Sequence, residues 1–246
     1  MLLLEALLSR GLAENEIQAR GLILSAKVLV NEVPVTKTGA KISETDDIRI
    51  RGVRKFVSRA GEKLDAALEA FAFPVAGRTF LDIGASTGGF TDSLLQRGAA
   101  HVAAIDVGRG LLHQKLRNDP RVQVIEDCDF RKMEASVLKH SPEAFVADVS
   151  FTSLNTIIPR AFSLLVPRNR PAEAIILFKP QFEISKAERD ILKKGVLQDP
   201  QKALQLVQEF TEKLKTMGVE VIGVQPAAVK GRKGNQEYLL HLMRQQ

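Results

Sequence analysis

The chain has 246 residues, of which 45% are hydrophobic and 26% charged, and its formal net charge is +6. This composition is that of a folded globular chain with one large domain, or with an ordinary domain and a small one. The apolar runs are only a few residues long, whereas a membrane-spanning helix needs about 20. The single cysteine, Cys128, excludes an intrachain disulfide and a cysteine-based zinc site. It fits a reducing cytoplasm, and the basic balance favours a polyanionic partner.

Residues 1–52 predict a small α+β domain that begins with two helices. The first follows from leucines at helical spacing near the start of the chain. The second is predicted to begin at Asn15, a preferred N-cap residue, with Gln18 placed to complete a capping box. We expect the inner face of this second helix to consist of Ile17, Gly21 and Leu24.

The rest of this unit predicts strands. The valine-rich segments 28–30 and 33–35 flank a two-residue turn, which indicates a tight hairpin, and residues 47–50 alternate as a further strand. A unit of this size buries little apolar surface in its core, so we expect it to be stabilised by contact with RNA or with the next domain. Residues 53–59 carry three basic groups and no acid, and they are predicted to form a basic linker.

Residues 60–246 predict a second domain in which strands alternate with helices. Such alternation is typical of a doubly wound α/β sheet with parallel crossovers and helices on both faces. Ligands bind such Rossmann-like sheets at the carboxyl ends of the strands. The predicted strands are 79–83, 101–106, 122–126, 144–148, 174–179, 219–224 and 237–242. The predicted helices are 61–71, 89–97, 111–118, 133–140, 154–165 and 200–217.

The first strand of this domain runs into a glycine-rich loop that is predicted to bind a cofactor. Glycines let the backbone turn sharply and approach a ligand closely, but their spacing matches neither the G-x-G-x-x-G fingerprint nor a P-loop. Asp82 would repel a pyrophosphate and could pair with an ammonium group, which favours S-adenosylmethionine over NAD. The predicted cofactor residues here are Asp82, Gly84, Ala85, Ser86, Thr87, Gly88, Gly89 and Phe90.

Two further strand ends carry acids that suit the same cofactor. Asp106, followed by Val107, is placed to accept hydrogen bonds from ribose hydroxyls. Asp129 follows the third strand and could accept from an adenine amino group. The alternative is an ordinary strand-to-helix turn with solvated carboxylates, and the combination of Asp82 with Asp106 disfavours it.

At this point the motifs resemble a known family. The chain is similar to the TlyA (haemolysin A) family, which resembles FtsJ-type ribosomal RNA ribose methyltransferases, and residues 1–52 resemble the S4 RNA-binding domain of that family. The resemblance covers essentially the whole chain. The motifs that carry it are DIGASTGGFTD at 82–92, VSRAGEKL at 57–64, DVG at 106–108, DVSF at 148–151, KPQFE at 179–183 and KGRKGNQE at 230–237.

The resemblance implies a Lys-Asp-Lys-Glu catalytic tetrad and S-adenosylmethionine-dependent methylation of ribosomal RNA. It also implies that the methylated nucleotide is a cytidine. Position by position the tetrad falls on Lys63, Asp148, Lys179 and Glu237. The implied partner is ribosomal RNA or a ribosomal subunit, the implied location is the cytoplasm, and no metal or membrane is involved. Asp148 and Lys179 each follow an apolar strand directly, so both are expected at the carboxyl edge of the sheet.

The reaction explains why such residues are needed. A ribose 2′-hydroxyl is a poor nucleophile until its proton is removed or shared. A lysine side chain accepts a proton only when its pKa is lowered from about 10.4 by burial or by a neighbouring cation. We therefore predict Lys179 as the base or the hydroxyl-orienting group, with Asp148 as its closest partner and Lys63 as the neighbouring cation.

Other interpretations stay open at this stage. Where the family has Arg-Leu-Asp and Ser-Arg in its S4 domain, this chain has Leu3-Leu4-Glu5 and Asn15-Glu16. The loss of cations leaves room for an RNA- or ribosome-binding protein of the same fold without turnover. The historical name of the family, haemolysin, refers to membrane lysis. A chain without a membrane span or a strongly amphipathic cationic helix offers no physical mechanism for that activity. A dehydrogenase is disfavoured by the glycine spacing.

Basic residues in two polar segments are candidates for phosphate binding. The alternative is ordinary solvated loop charge. The first segment is also a candidate for a mobile lid. These residues are Lys186, Lys193 and Lys194 beside Gly195 in the first segment, and Lys230, Arg232 and Lys233 in the second.

Overall fold

The computed structural model describes residues 1–52, 55–150, 154–166, 170–184, 190–231 and 233–244. Contacts divide the chain into two compact units, Met1–Arg54 and Lys55–Gln246. From Lys55 onward the predicted linker 53–59 belongs to the second unit. Phe56 is buried there, and the Val57 N–H donates to the Asp92 carboxylate at 2.9 Å. The linker prediction is therefore wrong for this part, because an apolar side chain and a backbone hydrogen bond fix it to the second unit.

The first unit consists of two helices and a three-stranded antiparallel sheet of strand order β2-β1-β3. Its elements are α1 (Leu3–Ser9), α2 (Glu16–Leu24), β1 (Val28–Val30), β2 (Val33–Pro34) and β3 (Ile48–Ile50). The predicted hairpin is confirmed, with Val30 paired to Val33 across the turn. Both turn residues, Asn31 and Glu32, have positive φ, as the twist of a two-residue hairpin requires.

Helix α2 begins as predicted, but its inner face differs from the prediction. The Asn15 side chain accepts from the backbone N–H of Gln18 at 2.9 Å, which confirms the N-cap. Ile17 and Leu24 are 84% and 68% exposed, so the predicted inner face is wrong. Ala19 and Ile23 are the buried positions of this helix, and they join the core of the first unit. The helix is thus rotated so that the face with Ala19 and Ile23 meets the core.

The second unit is built on a seven-stranded sheet of order β11-β12-β8-β7-β4-β5-β6. Every neighbouring pair is parallel except the two pairs that contain β12. The strands are β4 (Thr79–Ile83), β5 (His101–Ile105), β6 (Val122–Ile125), β7 (Ala144–Ala147), β8 (Ala172–Phe178), β11 (Val219–Pro226) and β12 (Tyr238–Arg244). A separate two-stranded hairpin is formed by β9 (Leu192–Lys193) and β10 (Val196–Leu197).

Helices cover both faces of this sheet, which confirms the predicted α/β fold class. The helices are α3 (Arg59–Ala70), α4 (Gly89–Gln96), α5 (Gln114–Arg117), α6 (Leu154–Leu164), α7 (Pro180–Glu183) and α8 (Pro200–Thr216). Side chains of α3, α4 and α5 form the core on one face, and those of α6 and α8 form the core on the other. Strand β8 supplies both cores, with Ile175 on the first face and Ile176 on the second.

Two predicted helices differ in the structure. The helix predicted at 133–140 is wrong, since the segment contains only a short 3₁₀ turn at Ala135–Val137, preceded by another at Phe130–Lys132. This region offers the core isolated side chains such as Met133 and no helical apolar stripe. The helix predicted at 111–118 is confined to α5. No helix in the described ranges is long and apolar enough to cross a membrane.

Candidate active site

Four strand ends meet at one edge of the large sheet. Strand β4 lies between β5 and β7. The chain continues from β4 to β5 and β6 on one side and then returns to β7 on the other side, so the carboxyl ends of β4 and β7 form the topological switch point where such sheets bind ligands. Asp148 follows β7 and Lys179 follows β8, as predicted. Strand β12 runs antiparallel to β8 with Tyr238 opposite Phe178, so Glu237 lies at the same edge.

The four predicted catalytic side chains form two ion pairs, one buried and one partly buried. Lys63 on α3 lies 2.5 Å from Glu237, and these side chains are 9% and 5% exposed. Lys179 lies 2.5 Å from Asp148 and also donates to the Ser150 hydroxyl at 2.9 Å. The expected pairing of Lys179 with Asp148 is therefore present. Lys63 is expected as a neighbouring cation whose ammonium a carboxylate orients, and Glu237 is that carboxylate.

One residue connects the two pairs. Gln181 on α7, two positions after Lys179, donates from Nε2 to Glu237 Oε1 at 3.5 Å. Isolated charges are rarely buried, because the desolvation of each ion is offset only by a close partner of opposite charge. The two pairs therefore keep charged side chains at the ligand-binding edge of the sheet, where they can act on a bound substrate.

The glycine-rich loop and the Lys179 pair line a common cavity. Seven predicted cofactor residues lie in its wall, together with Asp148 and Lys179. The side chain of Lys179 therefore faces the same hollow as the cofactor loop. The residues that line the cavity are Ser58, Ala60, Asp82, Gly84, Ala85, Ser86, Thr87, Gly89, Phe90, Asp148, Ser150 and Lys179.

Three of these residues, Ser58, Ala60 and Ser150, are not among the predicted site residues. Ser58 and Ala60 belong to the VSRAGEKL motif, and Ser150 belongs to the DVSF motif. The motifs were thus recognised, but the position of each side chain depends on packing. Gly89 lies so close to Ser58 and Gly61 that a Cβ there would collide with both. This close approach brings α3 against the start of α4 and puts Ser58 into the cavity wall.

Two glycines of the loop have different roles. Gly84 has φ +82°, and a Cβ added there would lie 2.6 Å from the Asp148 carbonyl oxygen, so only glycine lets the loop approach the end of β7. Gly88 has φ +91°, and a Cβ there would collide with Leu116 and Leu112. Gly88 is therefore required by packing under the loop, and it is not among the cavity-lining residues.

Asp82 is the most perturbed acid of the cavity. It is fully buried, and the Thr91 hydroxyl donates to its Oδ2 at 2.6 Å. Its Oδ1 is buried without a hydrogen-bond partner in the described structure. Burial raises the pKa of Asp82 to about 7, and the nearby carboxylates of Asp148 and Asp106 contribute to the increase. An unpartnered carboxylate oxygen in a cavity wall fits a cationic or hydrogen-bond-donating ligand.

The other predicted cofactor residues lie outside the cavity wall. Asp106 accepts from the backbone N–H groups of Ser86, at 2.8 Å, and Gly108, at 2.7 Å, and so ties the loop to the end of β5. Asp129 binds Arg131 at 2.7 Å, and that hydrogen bond holds the pKa of Asp129 at about 2. Val107 is 70% exposed. Ligand contacts of these three residues stay predictions.

Glu126, at the end of β6, is a positioning residue that sequence reasoning missed. It accepts from the backbone N–H of Leu111 at 3.2 Å and from Arg117 at 2.7 Å. The Arg117 hydrogen bond is the main reason that the pKa of Glu126 lies at about 2. A permanently charged carboxylate thus orders the loop that follows Asp106. Of the residues singled out from the sequence, Phe151, Lys186 and Arg232 lie outside the described residues.

Comparisons with known proteins agree with this architecture. Residues 56–244 match the FtsJ-like methyltransferase family. The 16S/23S rRNA (cytidine-2'-O)-methyltransferase TlyA of Mycobacterium tuberculosis is 42% identical over 97% of this chain and 88% of that protein. Hemolysin A of Brachyspira hyodysenteriae is 41% identical over 96% of each chain. A solved Streptococcus thermophilus structure described as a hemolysin superposes with a TM-score of 0.72 at 33% identity, covering 99% of this chain and 88% of that one.

Proposed function

Because this chain belongs to the FtsJ-like methyltransferase family, we propose that it transfers the methyl group of S-adenosylmethionine to a ribose 2′-hydroxyl of ribosomal RNA. The observation that carries this proposal is the common cavity of the glycine-rich loop and the Lys179–Asp148 pair. The Mycobacterium tuberculosis relative is a cytidine-2'-O-methyltransferase of 16S and 23S rRNA, which supports cytidine as the target base here.

The cavity fits S-adenosylmethionine on its own features. It combines a close-approach backbone loop with the buried, unpartnered Oδ1 of Asp82, which suits the positive charge of that cofactor. When bound, S-adenosylmethionine supplies an electrophilic methyl group on a sulfonium. Asp82 and the loop 84–90 would hold it, with Asp106 and Asp129 as the proposed partners of its ribose and adenine.

Lys179 is the group that we place against the substrate oxygen. An ammonium group has three donors; one of those on Lys179 is directed at the Ser150 hydroxyl, while Asp148 lies within ion-pair distance without accepting a hydrogen bond. A remaining donor is available to the 2′-oxygen of the ribose. A fixed positive group there orients the hydroxyl and stabilises negative charge on its oxygen as the proton leaves. The geometry therefore favours the orienting role of Lys179 over the role of a free base.

The Lys63–Glu237 pair stabilises the elements that carry Lys179. Glu237 accepts from both Lys63 and Gln181, so it fixes helix α3 and the start of α7 to the first residue before β12. Because α7 begins directly after Lys179, this network limits how far the Lys179 backbone can move. We propose that Lys63 and Glu237 position the reacting edge of the sheet.

The first unit has a proposed role in binding the substrate. We propose that residues 1–52 act as an S4-like RNA-binding domain, and that the partner is ribosomal RNA or a ribosomal subunit. The S4 resemblance and the confirmed two-helix and hairpin order support this assignment. A substrate of this kind is found in the cytoplasm, where we expect the enzyme to act.

Transfer of labelled methyl groups tests the proposed function. The full chain is incubated with tritiated S-adenosylmethionine and either intact ribosomal subunits or free ribosomal RNA from cells that lack the gene. We expect label in RNA, and mass spectrometry of nuclease fragments should find one methyl group on a ribose. Absence of transfer to every RNA form, or methylation of a base instead of a ribose, would overturn the proposal.

A further inference from the structure

One buried side chain hydrogen-bonds the β9–β10 hairpin to the rest of the second unit, in addition to the packing of Leu192 and Leu197 against the core. Asn235 is buried, and its Oδ1 accepts from the backbone N–H of Leu197 at 2.9 Å. Its Nδ2 donates to the Gly195 carbonyl at 3.0 Å. One amide thus holds both the turn of the hairpin and its second strand. A hairpin of four strand residues has little core of its own, so this anchor contributes to its position together with the contacts of Leu192 and Leu197.

Asn235 also belongs to the loop that leads into the catalytic edge. Its carbonyl accepts from the backbone N–H of Gly231 at 2.9 Å, which closes the loop before Glu237. Gly231 lies so close to the Glu237 carboxylate that a Cβ there would collide with it. Strand β10 packs against α7, which begins directly after Lys179. The hairpin is therefore positioned by the same elements that carry Lys179 and Glu237.

The hairpin and this loop carry exposed lysines without acidic partners. Lys193, Lys194, Lys230 and Lys233 are all exposed, and none of the four forms an ion pair within the described ranges. Lys233 Nζ lies 3.4 Å from the position that a Cβ on Gly195 would occupy, so the two segments present their charges together. Elsewhere on the surface, lysines such as Lys55 have carboxylate partners. Four unpaired cations beside a buried catalytic edge favour a polyanion.

We propose that this surface, the lysine surface formed by Lys193, Lys194, Lys230 and Lys233, binds backbone phosphates of the RNA next to the target ribose. Asn235 is the positioning residue that joins the hairpin to the loop before Glu237. Phosphate contacts fix the register of a nucleic acid on a protein without reading its sequence. This inference rests on the proposed function and names how that site takes its substrate.

A charge-neutralising triple variant tests the lysine surface. Lys193→Gln, Lys194→Gln and Lys233→Gln are combined in the full chain, and equilibrium RNA binding is measured against KCl concentration. Each lost phosphate contact lowers the slope of log affinity against log salt by roughly 0.7–0.9, so the slope should fall by about 2. The affinity for S-adenosylmethionine should stay unchanged.

The matched control removes the same charge from the opposite edge of the sheet. Lys139 precedes β7, Arg170 precedes β8, and Lys215 lies at the end of α8 that leads into β11, so all three are at the edge away from Lys179. The control triple variant to glutamine should keep the wild-type salt slope. Equal slopes in the two triple variants would overturn the proposal. Because binding is measured without turnover, this outcome is distinct from failure of the wild type to transfer methyl groups.

Asn235→Ala tests the positioning role. All four lysines stay present, yet the salt slope should fall and the RNA KM should rise several-fold, because the hairpin is no longer held beside the loop. Cofactor affinity and the unfolding midpoint report whether the fold survives. A folded Asn235→Ala protein with the wild-type salt slope and RNA KM would contradict the role of Asn235, and the triple variant tests the surface independently of this substitution.

Discussion

The buried Asp82 carboxylate makes cofactor affinity depend on pH in a direction that the structure dictates. Its pKa is raised to about 7, mainly because burial disfavours the charged form. The ionised form offers Oδ1 to a positively charged ligand, whereas the protonated form does not. Binding of S-adenosylmethionine must therefore release a proton from Asp82 at acidic pH, and affinity should rise as pH increases through about 7.

The size of the effect follows from the titration. With a pKa of about 7, roughly one-tenth of Asp82 is ionised at pH 6 and roughly nine-tenths at pH 8. If only the ionised form binds well, the affinity rises about tenfold across this range, which is about 1.4 kcal/mol. Asp82→Asn has no titrating group, so its affinity should be flat with pH and at least about tenfold below that of the wild type at pH 8.

Calorimetric titration with S-adenosylmethionine checks this prediction. Buffers of different ionisation enthalpy also report the proton released at pH 6. Asp119→Asn is the matched control, since Asp119 precedes β6 at the opposite edge of the sheet and its pKa is lowered by the Arg121 hydrogen bond. The control should keep the wild-type profile. A flat wild-type profile, or an Asp82→Asn protein with wild-type affinity at pH 8, would refute the reasoning.

Two stability predictions follow from the packing around the site. Glu237→Gln leaves the buried ammonium of Lys63 without a charged partner, so urea unfolding should show that the free energy of unfolding falls by roughly 3–5 kcal/mol. The double variant with Lys63→Met should recover part of this loss. An equal or larger loss in the double variant would contradict the pairing. Gly88→Ala combines a positive φ with collisions against Leu116 and Leu112, so it should cost more than the roughly 1–2 kcal/mol of a left-handed conformation alone, and a neutral effect would show that the loop can shift.

Much of the second unit follows from local patterns. The strands from Thr79–Ile83 to Ala144–Ala147 are short apolar runs with turn residues between them, and the structure places them within one residue of the predicted ends. The edge position of Asp148 and Lys179 follows in the same way, because a charge directly after a buried parallel strand can lie only at its carboxyl end.

The parts that could not be predicted depend on long-range packing. Ile17 and Ile23 fit the helical pattern of α2 equally well, and only the contact with α1 and the sheet decides which of them is buried. The division of the tetrad into two pairs depends on the antiparallel direction of β12, which puts Glu237 beside Lys63. The burial of Phe56 depends on its contact with Gly61 on α3. None of these has a signal in local spacing.

The central claim is that Lys179, held by Asp148 beside the cofactor loop, acts on the ribose hydroxyl. Single-turnover methyl transfer with Lys179→Ala, using an RNA substrate that the wild type methylates, tests it most directly. The account predicts unchanged binding of S-adenosylmethionine and RNA and a methyl-transfer rate reduced at least about a hundredfold, the contribution of one well-placed charged group. A Lys179→Ala protein that transfers the methyl group at near the wild-type rate would contradict it.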